Sequence, residues 1–221
     1  MQKHLIVTED GSHTLFVPDL NEHYHSTHGA INESVHVYIH AGLKQQTNES
    51  INILEIGFGT GLNAYLTLCE TIQNGQHIRY VSLEKYPLSE AEYSGLNYAA
   101  RIFPAYQEHF LQIHRAPWNI PVDITPQFQL LKVQADLISY RFPESDKFDL
   151  IYFDAFAPDK QPEMWDKEVL EKIAKATRQE GIFVTYCAKG IVRRNLASLG
   201  FLMERLPGPP GKKEILRGRK I

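Results

Sequence analysis

Apolar residues along this chain fall into short runs separated by polar turns, and the period of each run assigns an element. Residues 3–17 alternate apolar and polar around Glu9-Asp10-Gly11-Ser12, and Asp-Gly between two such runs predicts a β-hairpin. Helical spacing follows from about Ile31 to Ala41. Ile51 to Ile56 is instead a continuous apolar run, the pattern of a parallel strand buried on both faces, and Leu62 to Leu68 reads as the helix after it. Ile78–Leu83, Phe128–Val133, Lys147–Phe153 and Ile182–Tyr186 repeat the strand pattern. Helices are expected from Pro87 to about Tyr98, over 137–140, from Asp166 to Thr177, and from Arg193 to Leu199, where Gly200 stops the last. Phe201–Leu206 and Glu214–Arg219 read as strands around Pro207-Gly208-Pro209-Pro210-Gly211. Residues 101–126 break the rhythm with four prolines, and read as an insertion of one helix (about 104–113) and a strand leading into a hairpin. Strands alternating with helices predict a single α/β domain over 1–221, with an N-terminal extension to about residue 50. Its sheet should have seven strands, mostly parallel, with one antiparallel strand near the C-terminus.

Composition narrows this only a little. Hydrophobic residues at 43% and charged residues at 22% suit a globular chain. No apolar run approaches ~18 residues and no signal-peptide core follows Met1-Gln2-Lys3-His4, so neither a membrane span nor export is expected. Cys69 and Cys187 are the only cysteines; they read as buried free thiols of a cytoplasmic protein. Charge says more. Between Lys189 and Ile221 nine Lys and Arg face two acids, so that, against an overall −3, the rest of the chain carries −10. A basic end on an acidic body is either a polyanion footprint or a solvated tail. His23, His25 and His28 lie close together but lack partners at metal spacing; they read as surface or substrate-facing, and no metal is expected.

The chemistry gathers at the end of the first buried strand. Gly57, Gly59 and Gly61 form G-x-G-x-G between strand and helix, not the G-x-G-x-x-G of dinucleotide folds. Glycines let the backbone turn sharply and let a ligand approach it, while the helix N-terminus offers free N–H groups and positive potential. A plain strand–helix turn and a dinucleotide site are the competing readings. Glu84, at the end of the following strand, is placed to accept hydrogen bonds from a ribose diol. Asp136, after the next, either meets an adenine amino group or caps the helix behind it. Asp154 ends the strand at 147–153, on the edge where open parallel sheets bind ligands, and opens a proline-punctuated loop to Trp165.

Glu55-Ile56-Gly57-Phe58-Gly59-Thr60-Gly61 resembles the first motif of the Rossmann-like class I methyltransferases that bind S-adenosyl-L-methionine. That resemblance implies a cofactor site built from Glu55, Gly57, Gly59, Gly61, Leu62, Asn63, Glu84, Lys85 and Asp136. The stretch Asp154-Ala155-Phe156-Ala157-Pro158-Asp159-Lys160-Gln161-Pro162-Glu163-Met164-Trp165 is similar to the hallmark of a narrower family. These are the bacterial tRNA wobble-uridine methyltransferases that make the 5-methylaminomethyl group of 5-methylaminomethyl-2-thiouridine. Tyr24-His25-Ser26, Glu33-Ser34, Glu84-Lys85-Tyr86-Pro87-Leu88, Gly190-Ile191-Val192-Arg193-Arg194 and Lys212-Lys213-Glu214 match as well, in order over nearly the whole chain. Two positions depart from the family: its Asp-Gly-Phe is Asp154-Ala155-Phe156 here, and its Ser-Ala-Gly is Ala188-Lys189-Gly190.

The resemblance implies N-methylation of an aminomethyl group. Asp154 would lie beside the amine, taking its proton or orienting it. Tyr24, His25, Ser26, Phe156 and Pro158 would receive an unstacked base, and Arg193, Arg194, Lys212 and Lys213 the phosphates of an anticodon stem-loop. No FAD is implied, since the sequence stops just after the methyltransferase strands; separate enzymes would install the aminomethyl group upstream. Two other functions fit the same residues. One is a methyltransferase or aminopropyltransferase acting on a small amine. The other is a non-catalytic tRNA-binding module with a vestigial cofactor site.

Overall fold

The computed structural model describes residues 2–221. The N-terminal hairpin forms from β1 (His4–Val7) and β2 (His13–Val17), and β3 (Glu22–His23) extends it to a three-stranded sheet. Helix α1 (Ala30–Ser34) runs directly into a π-helical segment, Val35–His40. Next come β4 (Ser50–Ile56), α2 (Leu62–Asn74) and β5 (His77–Glu84), the core strand–helix–strand unit. Helix α2 is longer than its apolar pattern predicts and is buried on nearly every side. It ends where Gly75 adopts φ +74° and donates its N–H to the Thr71 carbonyl, a left-handed stop that suits glycine.

The helix expected from Pro87 to Tyr98 is two short ones, α3 (Glu90–Tyr93) and α4 (Tyr98–Ile102). The residues between them bind the N-terminal sheet instead of continuing the helix. The His13 N–H donates to Asn97 Oδ1, His13 Nδ1 donates to the Gly95 carbonyl, and Asn97 Nδ2 donates to the Gly11 carbonyl. Tertiary hydrogen bonds thus override a local periodicity. The insertion supplies α5 (Gln107–Arg115) and β6 (Val122–Thr125), which pairs antiparallel with β7 (Phe128–Gln134). The helix expected at 137–140 is a single turn: Asp136 accepts the Ile138 N–H on Oδ1 and the Tyr140 N–H on its carbonyl, and Pro143 follows.

The chain then adds β8 (Phe148–Phe153), α6 (Lys167–Ala176), β9 (Thr177–Thr185), α7 (Gly190–Ser198), β10 (Phe201–Pro207) and β11 (Glu214–Lys220). The main sheet therefore has eight strands, not seven, in the order β10-β11-β9-β8-β4-β5-β7-β6. The extra strand is β6, contributed by the insertion. β11 lies antiparallel between β10 and β9, while β9, β8, β4, β5 and β7 are mutually parallel.

Period-two alternation sends the apolar side chains to two faces. Ile51, Ile53, Tyr80, Leu150, Tyr152 and Val184 pack under α2 and the π segment. Leu54, Ile56, Ile151, Phe153 and Phe183 pack under α6 and α7. Both faces are covered, which leaves the C-terminal ends of the parallel strands as the open edge. Among the described residues no helix is long and apolar enough to cross a membrane.

Candidate active site

A cavity of about 820 Å³ lies at those strand ends, near the upper end of the range for small-molecule sites. Its floor comes from Ile56 to Thr60 after β4, Leu83 to Pro87 after β5, Gln134 after β7, Asp154 to Ala157 after β8, and Tyr186 after β9. The N-terminal segment forms the roof through Val17, Leu20 and the run Glu22–Thr27.

The three glycines turn out to be needed for three different reasons. A Cβ on Gly57 would stand 2.6 Å from the Asp154 carbonyl, so its absence lets the β8 loop close against β4. One on Gly61 would stand 2.8 Å from His114 Nε2, inside the core. Gly59 lines the cavity at a left-handed φ of +47°, and there a Cβ would meet the Tyr24 ring at 3.0 Å. Beneath the loop, His114 Nε2 donates to the Thr60 carbonyl at 3.1 Å. Burial pushes that imidazole down to about 3, so it is neutral and serves as a fixed donor.

Glu84 is set in place by backbone. Its Oε2 accepts the Gly59 N–H at 3.0 Å and its Oε1 the Tyr86 N–H at 2.7 Å. Each oxygen keeps a lone pair for the cavity, the arrangement a vicinal diol requires. Nearby, the Thr60 hydroxyl is buried with no hydrogen-bond partner. Lys85 pairs with Asp136 at 2.9 Å, and this holds the Asp136 carboxyl below the usual range. A diol acceptor beside a glycine loop that opens a helix fits a nucleoside-bearing cofactor.

Asp154 lines the same cavity. Burial pushes its carboxyl up to about 7, against the lowering effect of the nearby Tyr38 hydroxyl and of a hydrogen bond from Asn63. Asn63 Nδ2 donates to Asp154 Oδ2 at 2.8 Å. Tyr24 and Phe156 meet edge to face, ring centroids 5.2 Å apart, and both line the cavity. Trp165 Nε1 donates to the Phe156 carbonyl at 2.8 Å, and the Tyr186 hydroxyl donates to the Ala155 carbonyl at 2.8 Å, so the loop carrying these groups is pinned from both sides. His25 packs edge-on to Tyr98, and burial pushes its imidazole down to about 4, leaving it neutral.

The cavity thus gathers Gly57, Gly59, Leu62, Asn63, Glu84, Lys85, Asp136, Asp154, Tyr24, His25, Ser26, Phe156 and Lys212. It leaves out Glu55, Gly61, Pro158, Arg193, Arg194 and Lys213. Glu55 lies under the glycine loop, fully buried, accepting from the Ser82 hydroxyl at 2.6 Å, and burial pushes it up to about 8. The strand period explains the placement: Glu55 shares its face with Ile51 and Ile53, one residue out of phase with Ile56, which does line the cavity. Arg194 and Lys213 are exposed. Lys212 is not in a solvated tail; it forms an ion pair with buried Glu33. Sequence reasoning singled out Glu33 only as part of a motif match, and missed Tyr38 and Tyr186, around Asp154. For Tyr186 the available signal was its place at the end of a buried strand.

Three comparisons bear on this geometry. Residues 99–221 match the model of a family described as S-adenosyl-L-methionine-dependent methyltransferase. A tRNA 5-methylaminomethyl-2-thiouridine biosynthesis bifunctional protein from Leptospira borgpetersenii is 32% identical over 214 residues, covering 89% of this chain and 32% of that protein. Its counterpart from Pseudomonas savastanoi is 31% identical over 220 residues, covering 92% and 33%. The chain thus spans about a third of the length of these curated relatives. The crystal structure of MNMC2 from Aquifex aeolicus superposes with a TM-score of 0.82 at 27% identity, over 98% of this chain and 69% of that one.

Proposed function

The chain belongs to the S-adenosyl-L-methionine-dependent methyltransferase family, and from that premise we propose that it methylates the 5-aminomethyl nitrogen of a tRNA wobble uridine, with or without 2-thiolation. One observation carries the reading. A carboxyl that burial pushes up to about 7, Asp154, lines the same cavity as the diol acceptor Glu84 and the edge-to-face pair Tyr24 and Phe156. The relatives named for 5-methylaminomethyl-2-thiouridine biosynthesis support the choice of acceptor.

Glu84 would take the cofactor's ribose hydroxyls, and Gly59 with Thr60 would lie along its amino-acid end. Bound S-adenosyl-L-methionine supplies an electrophilic methyl group on a sulfonium. The protein's part is to present a nitrogen without its proton, in line with that methyl. An alkylamine is cationic at neutral pH, with a pKa near ~10 like a lysine side chain. Asp154 attracts the ammonium form, and Oδ1, the oxygen not held by Asn63, receives the proton. Tyr24 and Phe156 hold the flipped-out uracil by ring contacts. Arg193, Arg194 and Lys213, outside the cavity, are assigned to phosphates of the anticodon stem-loop. This acceptor makes the protein cytoplasmic in action and dependent on an earlier reaction that installs the aminomethyl group.

The test uses labelled S-adenosyl-L-methionine with tRNA from cells that lack this methylation, followed by nucleoside mass spectrometry. Label in a 5-methylaminomethyluridine is the expected result. Label only in added small amines, or none at all, would refute the tRNA assignment. Neutralising Arg193, Arg194 and Lys213 together should also weaken tRNA binding and flatten its salt dependence.

A further inference from the structure

Lys212 sits in the loop between β10 and β11, and Glu33 sits on α1. Lys212 Nζ lies 2.5 Å from Glu33 Oε1, and Glu33 Oε2 accepts the Ser26 N–H at 2.7 Å. The same ammonium stands 3.8 Å from the centre of the Tyr186 ring, while the Tyr186 hydroxyl donates to the Ala155 carbonyl. Glu33, Lys212, Tyr186 and Ser26 all line the cavity together with Asp154. One connected set of contacts therefore runs from the roof through the ion pair to the loop that carries Asp154. A lysine so engaged is poorly placed to meet a phosphate, because doing so would strand a buried carboxylate.

We propose that Glu33 and Lys212 are a positioning pair for the methyl-transfer reaction, which fixes the substrate end of the cavity and places two balanced, opposite charges beside Asp154. This rests on Asp154 being the proton acceptor. The groups facing Asp154 come from every element packed against it. They are Tyr38 on the π segment, Glu55 on β4, Tyr80 on β5, Tyr186 after β9, Glu33 on α1 and Lys212 on the hairpin loop. Tyr38, Tyr80 and Tyr186 are held neutral by burial, and Glu55 is pushed up to about 8, so Glu33 and Lys212 are the charges that act on Asp154 at neutral pH. Their effects oppose: Glu33 pushes the Asp154 carboxyl up and Lys212 pulls it down. Burial raises the Asp154 carboxyl, and the two charges offset one another beside it, so that removing either alone unbalances it.

The experiment is the pH dependence of kcat/KM on aminomethyl-containing tRNA for Lys212→Met, Glu33→Gln, the double variant and Lys212→Arg. Lys212→Met should move the acid limb up by roughly 0.5–1 pH unit, and Glu33→Gln should move it down by a similar amount. The double variant should return close to wild type, and Lys212→Arg should keep the wild-type limb. KM for S-adenosyl-L-methionine should change little, because Glu84 and the glycine loop are untouched. A merely structural pair would lower the rate with the limb unmoved, or move it the same way in both single variants; either result overturns the proposal. So would Lys212→Met acting only on tRNA affinity and its salt slope, which would return Lys212 to phosphate binding. Lys212→Arg keeps the inference testable if Glu33→Gln folds poorly. Absence of any turnover by the wild-type protein would instead strike the choice of acceptor, a different failure.

Discussion

Replacing Asp154 with asparagine keeps the shape of the side chain and removes its charge. Asn63 Nδ2 can still donate to the new amide oxygen, so the loop should hold its position. What is lost is a proton acceptor. Burial pushes Asp154 up to about 7, while an alkylammonium lies near ~10. Against an ordinary aspartate, that elevation narrows the uphill proton transfer by roughly 4 kcal/mol. With Asp154 as the acceptor, the wild-type enzyme would bind the abundant ammonium and deprotonate it in place. Its kcat/KM should therefore rise up to about pH 7 and stay flat until the free amine forms. Asp154→Asn must instead capture free amine, about one part in 10³ at pH 7 for a group titrating near ~10. Its kcat/KM should fall on the order of 10³-fold at pH 7, within the ~10²–10⁴ of general-base catalysis. It should then climb about tenfold per pH unit and approach wild type by about pH 9–10. Steady-state methylation of aminomethyl-containing tRNA across that range is the assay, with calorimetry showing unchanged cofactor affinity. Near-wild-type turnover at pH 7 would refute the reasoning. A loss that stays constant with pH would refute proton acceptance and leave orientation alone.

Gly59→Val places a branched Cβ at φ +47° and about 3.0 Å from Tyr24, at ~1–2 kcal/mol of backbone strain; the protein should fold, as circular dichroism would show, but give no calorimetric signal with S-adenosyl-L-methionine. Glu84→Ala removes both acceptor oxygens and frees the Gly59 N–H, so cofactor affinity should fall by ~1.5–3 kcal/mol, and equal dissociation constants would move the ribose site elsewhere. Glu55 has a folded value of about 8, above its unfolded value. Stability from its neutral form is therefore full below about pH 4.3 and is lost as pH rises through about 8. Glu55→Gln escapes that loss, so its melting temperature relative to wild type should increase from pH 5 to pH 9, whereas a difference independent of pH would mean Glu55 is not buried as an acid.

The cofactor half of the site was legible in the sequence because its signals are local. An apolar run, three alternate glycines and an acid at the end of the next strand each state their geometry within a few residues. Strand pattern plus chain order then fixes which edge of the sheet they share. Local signals also misled where a residue's period was ignored. Glu55 stands beside the glycines in sequence, yet its strand phase turns it into the core with Ile51 and Ile53.

Only the tertiary structure decided the substrate half. Lys212 and Glu33 come from opposite ends of the chain, and nothing around Lys212-Lys213 distinguishes the lysine that turns inward onto Tyr186 from the one that stays exposed. The break between α3 and α4 depends on hydrogen bonds offered by His13 and Gly11, some 80 residues earlier. The raised carboxyl of Asp154 depends on burial among groups far apart in the sequence, Glu33, Tyr38, Asn63 and Lys212 among them. A sequence records which groups are present and how each segment would bend alone. Desolvation and ion pairing are properties of what is brought alongside, and they exist only once the chain has closed on itself.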